Sequence, residues 1–257
     1  MLGAIAGDII GSVHEFLGQK TRDFPLFVAD STFTDDTVLT IAVADHLLTG
    51  APYVDNFHRY TKAYPGRGYG IGFHDWVRSG SLIPYNSWGN GSAMRVSPVA
   101  YAFPTLDEVL AEAKASAEVT HNHPEGIRGA QATAAAVFLA REKKSKSEIR
   151  AAIEERFGYV LRRTVAEIQP TYSFNESCQD TVPQAIISFL DSNNYEDTIR
   201  NAVSLGGDAD TLSCIAGGIA GAFYGVPKEI ATPAWSLLEV NLRLTAARFC
   251  EKYGIDI

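Results

Sequence analysis

Ala4-Ile5-Ala6-Gly7-Asp8-Ile9-Ile10-Gly11 is answered far along the chain by Cys214-Ile215-Ala216-Gly217-Gly218-Ile219-Ala220-Gly221. Each glycine costs a helix about 1 kcal/mol relative to alanine. A helix that keeps several of them in an apolar run does so where a second backbone comes close. The two segments therefore read as core helices packed side by side through small residues. Convergent small-residue packing accounts for the likeness better than an internal duplication.

Outward from this pair the chain reads as helix after helix. Apolar periodicity and punctuation predict helices over 2–16, 36–48, 53–64, 72–79, 92–103, 105–119, 124–143, 147–157, 176–191, 195–205, 211–224 and 235–253. Thr105-Leu106-Asp107-Glu108 and Ser145-Lys146-Ser147-Glu148 are capping-box patterns. Only residues 159–168 read as extended. No Pro/Ser-rich linker divides the sequence, so residues 1–257 are expected to form a single all-α domain.

Composition narrows the function classes. Hydrophobic residues make up 46% and charged residues 20% of the 257, which suits a globular protein with a substantial core. A net charge of −8 and the lack of a long Lys/Arg run argue against a broad nucleic-acid surface. Cys178, Cys214 and Cys250 are too few and too widely spaced for a disulfide framework or a zinc motif. Reduced thiols and a cytoplasmic location are the expectation. The N-terminal apolar stretch has no basic region before it and is interrupted by Asp8, unlike a signal peptide. No apolar run reaches membrane-spanning length, so no membrane partner is expected.

Two acidic clusters carry the strongest chemical signal: Thr34-Asp35-Asp36-Thr37 and Asp208-Ala209-Asp210-Thr211. Each sets two carboxylates and a hydroxyl at the start of an apolar, helix-like run. One reading is helix capping, for which Asp and Thr are common. Capping needs one side-chain oxygen, however, and each cluster offers several. The second reading is a shared site in which four carboxylates converge. At about 4 Å and an effective dielectric near 20, each unneutralised carboxylate pair costs about 4 kcal/mol. Such a site needs a cation, and oxygen-only ligands select Mg2+, Mn2+ or Ca2+ over zinc.

Three loops could hold a ligand. Gly66-Arg67-Gly68-Tyr69-Gly70-Ile71-Gly72 matches neither the dinucleotide fingerprint nor the P-loop. It is a flexible turn or a backbone nest for phosphate. Ser87-Trp88-Gly89-Asn90-Gly91-Ser92-Ala93-Met94-Arg95 carries a tryptophan in polar, Gly-rich surroundings, where it stacks on a planar ligand or packs on the core. His121-Asn122-His123 is an H-x-H pair, but Pro124-Glu125 reads as a helix start, which does not favour paired metal ligands. His74-Asp75 lacks the upstream His and downstream Asp of an all-α metal-dependent nucleotide phosphohydrolase.

Taken in order, these segments resemble the ADP-ribosylglycohydrolase family. The likeness rests on Gly3 to Asp8 with Gly11-Ser12 and Glu15-Phe16, then Phe33-Thr34-Asp35-Asp36-Thr37, Arg67-Gly68-Tyr69-Gly70 and Gly89 to Arg95. It continues through Thr120-His121 and Gly126-Ile127-Arg128-Gly129-Ala130, and closes on Gly206-Gly207-Asp208-Ala209-Asp210-Thr211.

The resemblance implies a compact orthogonal all-α fold and a centre of two Mg2+ ions, with Mn2+ as the alternative metal. It makes Thr34, Asp35, Asp36, Asp208, Asp210 and Thr211 the metal ligands. Glu15 matches a glutamate on a mobile loop, and Asp36, Asp35 and Glu15 are the candidates for proton transfer. Ser87, Trp88, Gly89 and Asn90 match the loop that holds ADP-ribose. Gly68 and Gly70 match the diphosphate loop, and His121 matches a histidine near the distal ribose.

The implied reaction is hydrolysis of the glycosidic bond between ADP-ribose and a protein side chain or small conjugate. A non-catalytic ADP-ribose-binding or structural relative is the alternative, and the filled set of metal positions favours an enzyme. The partners expected are ADP-ribose and ADP-ribosylated substrates. Acceptor identity and oligomeric state are not read from the sequence.

Overall fold

Helix α1 (Leu2–Gly11) opens a run of helices, and the computed structural model describes residues 1–255. After a long loop come α2 (Asp35–Thr49), α3 (Tyr53–Ala63) and α4 (Ile71–Ser79). Two short segments, α5 (Gly91–Met94) and α6 (Val99–Ala102), precede α7 (Leu106–Glu118), α8 (Pro124–Arg141) and α9 (Lys146–Phe157). A single turn, α10 (Val165–Ile168), leads into α11 (Cys178–Leu190), α12 (Tyr195–Ser204) and α13 (Ala209–Tyr224). The described chain closes with α14 (Lys228–Leu237) and α15 (Val240–Tyr253). Among the described residues there is no β-strand, only an isolated antiparallel bridge between Gly89 and Ser177.

Helix α13 sits at the centre, and α1, α12, α11 and α8 pack around it. The two glycine-bearing segments do lie side by side. A Cβ at Gly3 would overlap the Gly217 carbonyl, one at Gly7 the Ser213 carbonyl and one at Gly11 the Ala209 carbonyl. These three glycines, four residues apart, form one face of α1. Only a hydrogen in place of a side chain lets the backbones meet along its length. Apolar side chains from nearly every helix join one continuous buried core around this pair.

Several boundaries differ from the sequence reading, each for a local reason. α1 stops at Gly11 rather than residue 16. The Ser12 hydroxyl donates to the Ile9 carbonyl at 2.9 Å, and residues 12–18 continue as turns. The expected helix over 92–103 is split at Pro98, which has no N–H to donate. The expected helix over 235–253 is two helices joined through the extended residues Leu238 and Glu239. Residues 159–168 form no ladder. Thr164 and Glu167 make a capping box that opens α10 instead. The boxes at Thr105/Glu108 and Ser145/Glu148 both form as expected.

Candidate active site

Asp8 is fully buried on α1, where it accepts four hydrogen bonds from the first acidic cluster. Its Oδ1 takes the Thr34 hydroxyl at 2.7 Å. Its Oδ2 takes the Thr34 N–H at 3.0 Å, the Thr37 N–H at 3.1 Å and the Thr37 hydroxyl. The loop entering α2 is therefore fastened to α1 by one carboxylate. On the same helix, a Cβ at Gly11 would stand 2.5 Å from Asp210 Cα. Thus α1 sets the height of both clusters: Asp8 clasps the first, and Gly11 seats the second.

The two clusters meet. Thr211 Oγ1 donates to Asp36 Oδ2 at 3.2 Å. Oxygens of Glu15, Asp208 and Asp210 all lie within 4.8 Å of one another. Asn90 Nδ2 donates to Asp208 Oδ2 at 2.7 Å, which ties the loop before α5 to the second cluster. Capping uses little of this oxygen. Thr34 caps α2 by accepting from the Asp36 N–H, while Asp208 makes no side-chain cap on α13. Asp36 Oδ1 is buried with no hydrogen-bond partner.

Burial and crowding set the charge state. Burial, then neighbouring carboxylates, push Asp35, Asp36 and Asp210 well above the usual carboxylate range. Burial lifts Asp8 to about 6 against the lowering effect of its threonine donors. Burial, together with Asp208, Glu176 and Asp8, lifts Glu15 to about 7. A crowded carboxylate set with an orphaned inner oxygen is an arrangement that a hard divalent cation fits.

A cavity of about 430 Å³ opens over the cluster, within the range that holds small-molecule ligands. Of the residues singled out in the sequence, Glu15, Asp35, Asp36, Asp208, Asp210 and Thr211 line it. Gly68, Gly70, Ser87, Gly89, Asn90 and His121 line it as well. Two stand apart. Thr34 is turned onto Asp8 behind the wall. The Trp88 side chain is half exposed and is not among the lining residues, although its carbonyl accepts from Cys178 N–H at 3.0 Å.

The loops reach the cavity through backbone anchors. Asp35 N–H donates to the Arg67 carbonyl at 2.7 Å, which sets the Gly66–Gly72 loop beside the first cluster. Gly68 adopts φ +91, a conformation that suits glycine alone. That loop runs into α4, whose first turn has no side-chain cap and also lines the cavity. Asn90 N–H bonds the Glu176 carbonyl at 2.7 Å. The two neighbouring histidines part company: His121 faces the cavity, while His123 Nδ1 caps α8 by accepting from Glu125 N–H at 3.1 Å.

Sequence reasoning did not single out Asp8, Arg95 or Glu176 as site residues. Asp8 had a signal, a lone carboxylate within an apolar helix, which is costly unless hydrogen-bonded. Glu176 reaches the cavity by a tertiary turn that no local pattern announces.

The profile of the family described as ADP-ribosylglycohydrolase matches residues 1–251. The chain belongs to the ADP-ribosylglycohydrolase family. It is an enzyme of that hydrolase class. The chain is 28% identical to the ADP-ribosylhydrolase ARH3 of Mus musculus, over 88% of this chain and 83% of that protein. It is also 28% identical to the ADP-ribosylarginine hydrolase Tri1 of Pseudomonas putida, over 92% and 73%. Identity is 28% as well to the ADP-ribosyl-[dinitrogen reductase] glycohydrolase of Rhodospirillum rubrum, over 88% and 84%. A solved structure titled ADP-ribosylglycohydrolase-related protein complex shares the fold, with a TM-score of 0.68 at 22% identity over 100% of this chain and 97% of that one. The ADP-ribosylglycohydrolase fold is thus the all-α arrangement built around α1 and α13. Among the described residues no helix is long and apolar enough to cross a membrane.

Proposed function

We propose that this chain hydrolyses the glycosidic bond between ADP-ribose and an acceptor, a protein side chain or a small conjugate, in a reaction that depends on two Mg2+ ions. The observation that carries the metal dependence is the meeting of the two acidic clusters, with Asp36 Oδ1 buried and unpartnered. Asp35, Asp36, Asp208, Asp210 and Thr211 would hold the cations. Thr34 would contribute from behind the wall through the lone pair left after it donates to Asp8 and accepts from Asp36 N–H. When bound, the pair of cations supplies Lewis-acid polarisation of a ribose diol and of a water.

The protein's own groups supply the rest. The diphosphate sits against the Gly68–Gly70 backbone and the uncapped first turn of α4, where free N–H groups and the helix dipole favour an anion. Asn90 holds Asp208 in place. Glycosidic cleavage through an oxocarbenium-like state wants a group that moves a proton to or from water and leaving group. Glu15 is the best placed of the candidates: it lies on the turn after α1, partly buried, with its carboxylate beside Asp208 and Asp210. Asp35 and Asp36 stand deeper, at the start of α2. With all three cysteines free and buried, we place the protein in the reducing cytoplasm. We further propose that residues 1–257 act as one catalytic unit.

Thermal unfolding with paired ligands tests the assignment. Mg2+ with ADP-ribose should raise the melting temperature in wild type and not in Asp210→Asn, while Mg2+ with ATP should have no comparable effect. A larger rise with ATP would favour a nucleotide phosphohydrolase. A rise with ADP-ribose but no turnover of any conjugate would favour a non-catalytic binder.

A further inference from the structure

Arg95 is the largest fully buried side chain, and its guanidinium lies 4.2 Å from the Phe57 ring centroid. Its Nη2 donates to the Ser116 carbonyl at 2.9 Å and to Thr120 Oγ1 at 2.8 Å. Thr120, also fully buried, lies 2.8 Å from His121 Nδ1 through the same Oγ1. The direction of each bond follows from proton accounting. An arginine has donors only. Thr120 Oγ1 must therefore accept from Arg95, and its one proton remains to be placed. In a buried site that proton needs an acceptor, and His121 Nδ1 is the one acceptor within reach among the hydrogen bonds of the described residues. If Nδ1 carried the proton instead, Thr120 would accept twice and its own hydroxyl proton would be stranded.

We propose that Arg95, acting through Thr120, holds His121 as the neutral tautomer with its proton on Nε2, so that His121 donates one hydrogen bond to a ligand oxygen in the cavity. Arg95 and Thr120 are positioning residues here, and His121 is the group that touches the ligand. The proposal rests on the ADP-ribose reading for the ligand's identity, but the relay itself does not. The Nε2 side of the ring faces the loop between Gly89 and Gly91: a Cβ at Gly91 would stand 3.1 Å from Nε2, and one at Gly89 3.6 Å. No protein acceptor takes the Nε2 proton among the described residues, and His121 lines the cavity. Burial and the Arg95 charge hold the imidazole well below its usual protonation range, which agrees with a neutral ring. The ligand group is thus an oxygen acceptor, such as a ribose hydroxyl or a phosphate oxygen, and not a donor-only nitrogen.

The test is the nitrogen spectrum of the full-length protein at pH 7, with His121 assigned by its loss in His121→Asn. The expected wild-type pattern is a protonated Nε2 and an unprotonated Nδ1. Thr120→Val, which removes the hydroxyl at nearly constant shape, should lose that single pattern. Its KM for an ADP-ribosylated substrate should rise about tenfold with kcat little changed, as for one lost ground-state hydrogen bond. Thr120→Ser should restore both. A wild-type spectrum with the proton on Nδ1, or an imidazolium, overturns the proposal. So does a Thr120→Val protein that keeps the wild-type tautomer and KM. The wild-type spectrum decides the tautomer even if Thr120→Val does not fold. It also decides it if the substrate proves not to be an ADP-ribose conjugate, so failure of the relay and failure of the functional reading are told apart.

Discussion

Thr211 Oγ1 donates to Asp36 Oδ2 at 3.2 Å, although 175 positions separate the two residues. The bond closes a ring of contacts that begins on α1. Asp8 fixes the loop before α2, Gly7 and Gly11 seat α13 against α1, and α2 and α13 then present their acidic N-termini to one another. The site is held by helix packing rather than by a disulfide or a rigid sheet.

Asp8 is accordingly worth more than its distance from the cavity suggests. Asn at this position keeps one acceptor oxygen but turns a donor toward Thr34 or Thr37. Asp8→Asn should cost about 1–3 kcal/mol of stability, the range for leaving buried donors unmatched. It should also lower activity by about 10–100-fold, as for the loss of a group that orients metal ligands. Urea unfolding and initial rates measured on the same preparation check both.

The close contact of α1 and α13 makes a second prediction. Gly7→Ala gains intrinsic helix propensity, yet its methyl would overlap the Ser213 carbonyl. The packing conflict wins, because the obstruction is backbone. We expect a net loss of about 1–3 kcal/mol, read as a fall of several degrees in melting temperature. A variant as stable as wild type would show that α1 and α13 are free to separate.

Removing a carboxylate from either cluster should abolish activity while the helices remain. Asp36→Ala and Asp210→Ala relieve charge repulsion as well as removing the proposed cation ligands, so neither should unfold the metal-free protein. Circular dichroism should match wild type. Activity in both variants above about a tenth of wild type would contradict a shared cation site, whose ligands matter at least as much as their supporting groups.

At the proposed cation site, acidity and metal binding should be linked, and the sign follows from Glu15. Its folded value of about 7 lies above the ordinary 4.5. Between these values the metal-free folded protein binds more protons than the unfolded chain, so its stability falls as pH rises through that window. A divalent cation displaces those protons. The gain in melting temperature with Mg2+ should therefore be larger at pH 7.5 than at pH 5. Equal gains at the two pH values would contradict the linkage.

Much of this was legible in the sequence, because it is written in local chemistry. The paired glycine segments announced the contact between α1 and α13, and the two Thr/Asp clusters announced the oxygen-rich site. Capping boxes placed the starts of α7 and α9. What was not legible depends on tertiary placement. Asp8 read as an interruption of an apolar run, and only the fold reveals that four donors converge on it. Arg95 read as the end of a loop, yet it is buried beneath His121. Trp88 read as a residue that stacks on a planar ligand or packs on the core; its side chain is half exposed and is not among the residues lining the cavity, on a loop held by the Gly89–Ser177 bridge and the Cys178 N–H. The break between α14 and α15 had no glycine or proline to mark it.

The central claim is that the joined acidic clusters support cation-dependent release of ADP-ribose. The most direct measurement follows free ADP-ribose released from defined ADP-ribosylated arginine and serine peptides, with Mg2+, with EDTA, and with Mg2+ restored after EDTA. The account predicts turnover of at least one peptide with Mg2+, none in EDTA and recovery on restoring the metal. Equal turnover in EDTA, or none under any of the three conditions, would contradict it.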